Sequence, residues 1–307
     1  EEYLKVAVLT NYIQVLYAIE NLKNKRNSFE VATSEHDRNR QLQEAGSISK
    51  SDFAQIDAQY NREKYELVVA ENDLIEAKLN LKLLLRLNPD VEMEILSADI
   101  TEDKILSEIP DKITAYNNAM NFRPDVRNAM LNQEMSELKV KSSKSGYYPS
   151  VNLSAGVGTG HNSQAEIGVG RQMKQNFGEN VGISLNYSIL DNRSRKSEKE
   201  KAELGRHTAS LQTEQIKDDL KKLIESAHNN ATAAQLNYIA SRSNEAAEAE
   251  SYELTREKFN LGSKNPYEML ESKNSFLNAQ RQTLQAKYTA LLNINILNIY
   301  QGLNIEL

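Results

Sequence analysis

Two short stretches constrain this chain more than any other feature. Gly262 and Pro266 stand between two long runs that hold neither glycine nor proline. Glycine takes the left-handed backbone that closes a helix and proline starts the next one, so the spacing predicts a tight turn between antiparallel helices. Residues 40–60 align without a gap with residues 256–276. Gly46 falls on Gly262, Ser47 on Ser263, Asp52 on Glu268, Phe53 on Met269 and Tyr60 on Phe276. Two helical hairpins with matching elbows point to an internal duplication.

The flanking residues carry helical periods. Residues 1–45 lack glycine and proline, and Val8, Tyr12, Val15, Leu16 and Ile19 recur on one helical face. Over 47–87, Phe53, Ile56, Tyr60, Glu63, Leu67, Ala70, Leu74, Ala77, Leu81 and Leu84 step by three and four, a coiled-coil seam in which only Glu63 is polar. Asn88, Pro89 and Asp90 are expected to stop that helix. Residues 193–261 predict the longest helix, with close helix approach at Ala227, Ala231, Ala234, Ala246, Ala247 and Ala249. Residues 266–301 return along it. Leu270, Leu277, Leu284 and Leu291 form one seam, and Met269, Phe276, Ala279, Ala286, Ala290 and Leu297 a second. Two seams imply partners on both sides, as in a closed ring of coiled coils.

Between the hairpins the period shortens. Val91 to Ile95 reads as a brief strand, 102–107 and 112–121 as short helices, and a helix with Pro124 near its start runs to Ser145. Val151, Leu153, Ala155 and Val157 then alternate with small or polar residues, as do Val181, Ile183, Leu185, Tyr187 and Ile189. That is the period of two strands, each with one apolar face. Residues 160–180, with four of the twelve glycines, read as an exposed loop. A transmembrane β-barrel and a soluble β-hairpin packed on a helix both fit this pattern. The order divides the chain into a first helical hairpin over 1–88, a region of short elements over 89–146, a strand pair over 147–192 and a second helical hairpin over 193–307. The fold class is mainly α, built on long antiparallel coiled-coil hairpins.

Composition excludes several classes. Of 307 residues 39% are hydrophobic and 26% charged, polar enough for helices exposed along much of their length. A net charge of -6 with dispersed Lys and Arg leaves no footprint for nucleic acid. Without cysteine there are no disulfides or thiolate metal sites. His36, His161, His207 and His228 show no metal-ligand spacing. Gly156 to Gly160 mimics a phosphate loop but lacks its strand-loop-helix setting and its Lys-Ser/Thr ending. No catalytic constellation, metal or cofactor is expected. The chain opens inside an already periodic helix, so a natural N-terminus upstream of Glu1 is expected.

The assembled order of helix, elbow, helix, small mixed region, β-hairpin, long helix, elbow and helix resembles the outer-membrane efflux proteins of the TolC type. Residues 10–19, both elbows, Arg123-Pro124-Asp125-Val126 and Tyr147-Tyr148-Pro149-Ser150-Val151 carry the resemblance, which runs over nearly the whole chain. It implies a homotrimer in the outer membrane and periplasm of a Gram-negative bacterium. Each protomer would supply four strands to a 12-stranded barrel in outer-membrane lipid, and helices to a periplasmic tunnel. Only the second strand pair is recognisable; the first would lie upstream of Glu1. The proline and paired glycines usual after the last strand are replaced by Ser188, Asn192 and Arg193, and asparagine tolerates a left-handed residue there.

The resemblance also implies roles. Glu268 and Glu271, three apart on one helix face, would line a constricted periplasmic entrance. Six crowded carboxylates there would raise some carboxyl pKa values. Ser51, Asp52, Phe259 and Lys264 would latch that entrance, with Asp52 pairing to Lys264 within or between protomers. Gly46, Ser47, Gly262 and Ser263 would form the tips that dock a periplasmic adaptor, which joins the conduit to an inner-membrane transporter. The alternative is a soluble coiled-coil scaffold, or a periplasmic adaptor, without a pore.

Overall fold

The computed structural model describes residues 2–88, 90–95, 100–164 and 166–305. Its elements are α1 (Glu2–Glu44), α2 (Lys50–Leu84), α3 (Glu102–Ile105), α4 (Lys112–Phe122), α5 (Pro124–Ser145), β1 (Ser150–Gly158), α6 (Val169–Gln175), β2 (Gly178–Asn186), α7 (Ser194–Asn260) and α8 (Pro266–Gln301). They fall into two compact units. The first holds residues 1–123 and 219–307, and the second residues 124–218.

The first unit contains both elbows. The seams predicted from the sequence are the surfaces it buries. Leu9, Ile13 and Leu16 of α1 pack on Leu284, Tyr288, Leu291 and Ile299 of α8. Val15 and Ala18 pack on Ala77 and Leu81 of α2. Ala227 and Ala231 of α7 meet Ile294 and Leu297 of α8. Leu291 is fully buried; burial of such a side chain contributes about 1.5–3 kcal/mol. Ala234 and Tyr238 cover Ile105, and Gln235 Nε2 donates to the carbonyls of Ile105 and Ser107 at 2.9 and 2.8 Å. The short region between the hairpins is thereby hooked onto α7. The expected close approach at Ala246 and Ala247 is not made, and both are exposed. Of the six alanines expected to approach closely, Ala227, Ala231 and Ala234 are buried.

Two expectations fail here, each for its own reason. Residues 91–95 form no strand. Met93 and Ile95 pack instead against the α1–α2 core, so side-chain burial rather than a ladder accounts for their alternation. α2 ends at Leu84, before the predicted stop. Arg86 is left-handed at φ 55° and the Leu87 N–H returns to Lys82 O at 2.9 Å. That closure satisfies the last carbonyls without proline. Pro89 itself lies outside the described residues.

The second unit holds the strands, α5 and the start of α7. Thr213 is buried, and its Oγ1 donates to Ala129 O at 3.2 Å, tying α7 to α5. β1 and β2 are antiparallel, from Ser150 opposite Asn186 to Gly158 opposite Gly178. The second strand ends at Asn186 rather than Ile189, because Pro149 precedes its partner and brings no N–H to extend the ladder. Arg195 then takes the Ser188 carbonyl at 2.7 Å, and its own N–H goes to Asp191. Asn192 and Arg193 turn at φ 51° and 64° into α7. The loop read as irregular contains α6. Gln172, buried at its centre, accepts from the Asn162 N–H at 2.8 Å and donates to Ile167 O.

Candidate functional site

Both elbows are built by the same backbone device. In the first, Gly46 sits at φ 75°, its N–H bonds Gln43 O and the Ser47 N–H bonds Leu42 O at 2.8 Å. In the second, Gly262 sits at φ 75°, its N–H bonds Phe259 O and the Ser263 N–H bonds Lys258 O at 2.9 Å. A side chain at that φ is strained, so glycine is required by backbone alone. Three residues on, a polar N-cap opens the next helix. Ser49 Oγ accepts from Asp52 N at 3.0 Å, and Asn265 Oδ1 accepts from Glu268 N at 2.9 Å.

The elbows lie at the same end of the first unit. Gly46, Ser47, Asp52, Phe259, Gly262 and Lys264 all line one recess of about 990 Å³ between them. Six of the eight sequence-predicted latch and tip residues are thus brought together; Ser51 and Ser263 do not line the recess. Ser51 lies one residue before Asp52 and is exposed, as is Glu271, while Phe259 and Glu268 are half-buried.

Within the chain, the Asp52–Lys264 pair is not formed. Asp52 accepts the Ser49 hydroxyl at 2.8 Å, and Lys264 is paired with Glu268 one helical turn away. Both groups are occupied in starting their own helices, which the sequence alignment alone did not show. Glu268 completes a capping box, accepting from the Asn265 N–H at 3.2 Å. The Lys264 hydrogen bond, followed by that of the Asn265 backbone, holds its carboxyl below the usual glutamate range. In the single chain this is the opposite of the shift expected from a crowded ring.

Sequence reasoning missed the contacts just behind the elbows. Lys273 of α8 is buried, with Nζ 2.6 Å from Glu35 Oε2 of α1. Gln59 Nε2 of α2 donates to Glu63 at 2.7 Å and to Asn274 of α8 at 3.4 Å. Tyr252 of α7 stacks on Phe276, and burial, then the Glu35 charge, push its hydroxyl up to about 12. The signal was available, because Lys273 falls between Met269 and Phe276 of the α8 seam, much as Glu63 interrupts the seam of α2.

A second feature is apolar. Val151, Leu153, Val157, Val181, Ile183 and Leu185 share one face of the strand pair, and all are at least 67% exposed. No described residue covers them. No described helix is long and apolar enough to cross a membrane.

Comparison with known proteins gives a consistent result. Residues 115–301 match the family described as outer membrane efflux protein. The chain is 22% identical over 312 residues to Outer membrane protein TolC of Escherichia coli strain K12, covering 99% of this chain and 62% of that one. It is 20% identical to Outer membrane efflux protein BepC of Brucella suis biovar 1 (strain 1330), covering 91% and 64%. The chain therefore spans less than two thirds of the length of these relatives. Among solved structures it is similar to CusC (TM-score 0.79, 15% identity, 99% of this chain and 69% of that one). It is also similar to VceC of Vibrio cholerae (0.77, 16%, 99% and 71%). The open-state MtrE channel of Neisseria gonorrhoeae gives 0.77 at 18% identity, covering 99% and 67%.

Proposed function

Because the chain belongs to the outer membrane efflux protein family, we propose that it forms the larger part of a passive conduit for efflux or secretion across the periplasm and outer membrane of a Gram-negative bacterium. The observation that carries this reading is the bare apolar face of β1 and β2. Each strand has nine residues, and strands of about 9–11 residues span a bilayer when tilted. An isolated two-stranded sheet is marginal in water. In a closed barrel, lipid covers the apolar face, neighbouring strands pair the open edges, and the small polar face of Asn152, Ser154, Ser184 and Asn186 lines the water-filled interior.

Three copies would close the barrel and surround the axis with elbows. Glu268 and Glu271 would then ring the periplasmic entrance, where carboxylates favour cations and set which charges pass. Asp52 and Lys264 are not paired with each other inside one chain, and would link neighbouring protomers by exchanging their Ser49 and Glu268 partners. Such an exposed pair contributes about 0–1 kcal/mol, weak enough to open when a periplasmic adaptor, coupled to an inner-membrane transporter, engages the elbows.

Single-channel recording on the full-length protein in a planar bilayer tests this. The expected result is a long-lived pore of low resting conductance, with Lys264→Glu raising the leak. A protein that binds detergent but never conducts would refute the conduit, and an unchanged leak would refute the latch alone.

A further inference from the structure

Toward the elbows, the buried positions of the first unit change character. Far from them α1 buries Leu9, Ile13, Val15, Leu16 and Ala18, whereas nearer to them it buries Ala32 and Asn39. α2 buries Ala70, Ala77 and Leu81 far from its elbow, but Ile56, Gln59 and Glu63 near it. α8 buries Met269, Lys273 and Ala279 before its run of Leu284, Leu291, Ile294 and Leu297 begins. The polar residues are not scattered. Lys273 of α8 reaches Glu35 of α1, and Gln59 of α2 touches Asn274, the residue beside Lys273. One layer of side chains thus joins the first hairpin to the second.

This layer is a poor means of adding stability. Lys273 is 3% exposed. Taking the Lys273 ammonium and most of the Glu35 carboxylate out of water costs much of what their attraction returns, and well-packed apolar residues in place of such pairs are often neutral or stabilising. Glu63 is also buried, with Oε2 lacking any hydrogen-bond partner. The layer does differ from an apolar seam in one respect. Leucine and alanine surfaces tolerate small tilts and shifts at little cost, whereas a displaced Lys273 would leave a buried ammonium without its partner. A farther contact, in which Lys287 and Tyr288 hold Glu20 at 2.8 and 2.7 Å, anchors α8 to α1 beside the apolar core. Between that anchor and the elbows, Glu35 and Lys273 form the ion pair that spans the two hairpins among the described residues.

We propose that Glu35 and Lys273 are positioning residues. Their pair determines where the elbow at Gly262 rests against the elbow at Gly46, and contributes little net stability. The proposal deepens the reading of the elbows as an entrance, yet it concerns two parts of one chain and can be measured without transport. Its failure is therefore distinguishable from failure of the conduit.

The test uses the full-length protein carrying spin labels at Ser47 and Ser263, both exposed, with labelled chains diluted into a large excess of unlabelled ones so that only the distance within one chain is read. Electron–electron resonance should give one narrow distance. In the Glu35→Leu/Lys273→Met variant the distribution should broaden or split, with the melting temperature unchanged or higher. A lowered melting temperature, failure to fold, or an unchanged narrow distance would overturn the proposal.

Discussion

The two elbows share a backbone and differ in what they present. Both close a helix on a left-handed glycine and open the next on a polar cap with an acid three residues on. Behind the bends, His36 stacks on Tyr60 in the first hairpin, and Tyr252 on Phe276 in the second, at positions that superpose under the duplication. Elsewhere the copies diverge. Ala45 and Ser51 in the first correspond to Leu261 and Tyr267 in the second, which are 84% and 62% exposed. Asp57, which faces His36 inside its own hairpin, corresponds to Lys273, which reaches across to Glu35 of the other. Positions that satisfy the chain's own backbone stayed alike, while positions that face another element or the outside specialised.

The largest effect should come from that outward difference. If the second elbow supplies the apolar anchor for an adaptor, Leu261→Ala with Tyr267→Ser should weaken adaptor binding by surface plasmon resonance by about tenfold or more, as loss of an aromatic anchor commonly does. Equal losses from changes at the first elbow would erase the distinction. The shared backbone makes a smaller, symmetrical prediction. A Cβ at Gly46 or Gly262 meets nothing within 4 Å, so only the left-handed φ opposes alanine. Gly46→Ala and Gly262→Ala should each lower unfolding free energy in urea by about 1 kcal/mol. Markedly unequal values would show that the elbows are not equivalent.

The smallest effect concerns Glu268. Its folded carboxyl is depressed, so its capping contribution is present above the unfolded value of about 4.3 and is lost as pH falls through the folded one. The melting temperature of Glu268→Gln should lie slightly below that of the parent at pH 7, and the gap should close in acid. A gap independent of pH would assign Glu268 no charge-dependent role.

The helices were legible because glycine, proline and apolar period act locally. α5, α7 and α8 follow directly from Pro124, Gly262 and Pro266. α6 was hidden, since its seven residues are held by Gln172 reaching loop partners rather than by any period. Residues 91–95 misled because alternating apolar residues also arise where an irregular segment lies across helices. At the elbows, charge and proximity made Asp52 and Lys264 look like partners. The shorter reach to Ser49 and Glu268 won, because helix starts leave N–H groups that nearby side chains satisfy first.

Sequence alone determined where the rods bend, which stripes they bury and that the bends are copies, because φ preference and apolar period are properties of neighbours along the chain. Tertiary structure alone decided that both bends stand beside one recess, that Lys273 finds Glu35, and that the apolar face of the strands is left bare by the described residues. Those outcomes depend on residues hundreds of positions apart, whose meeting is set by how whole helices pack rather than by any local preference.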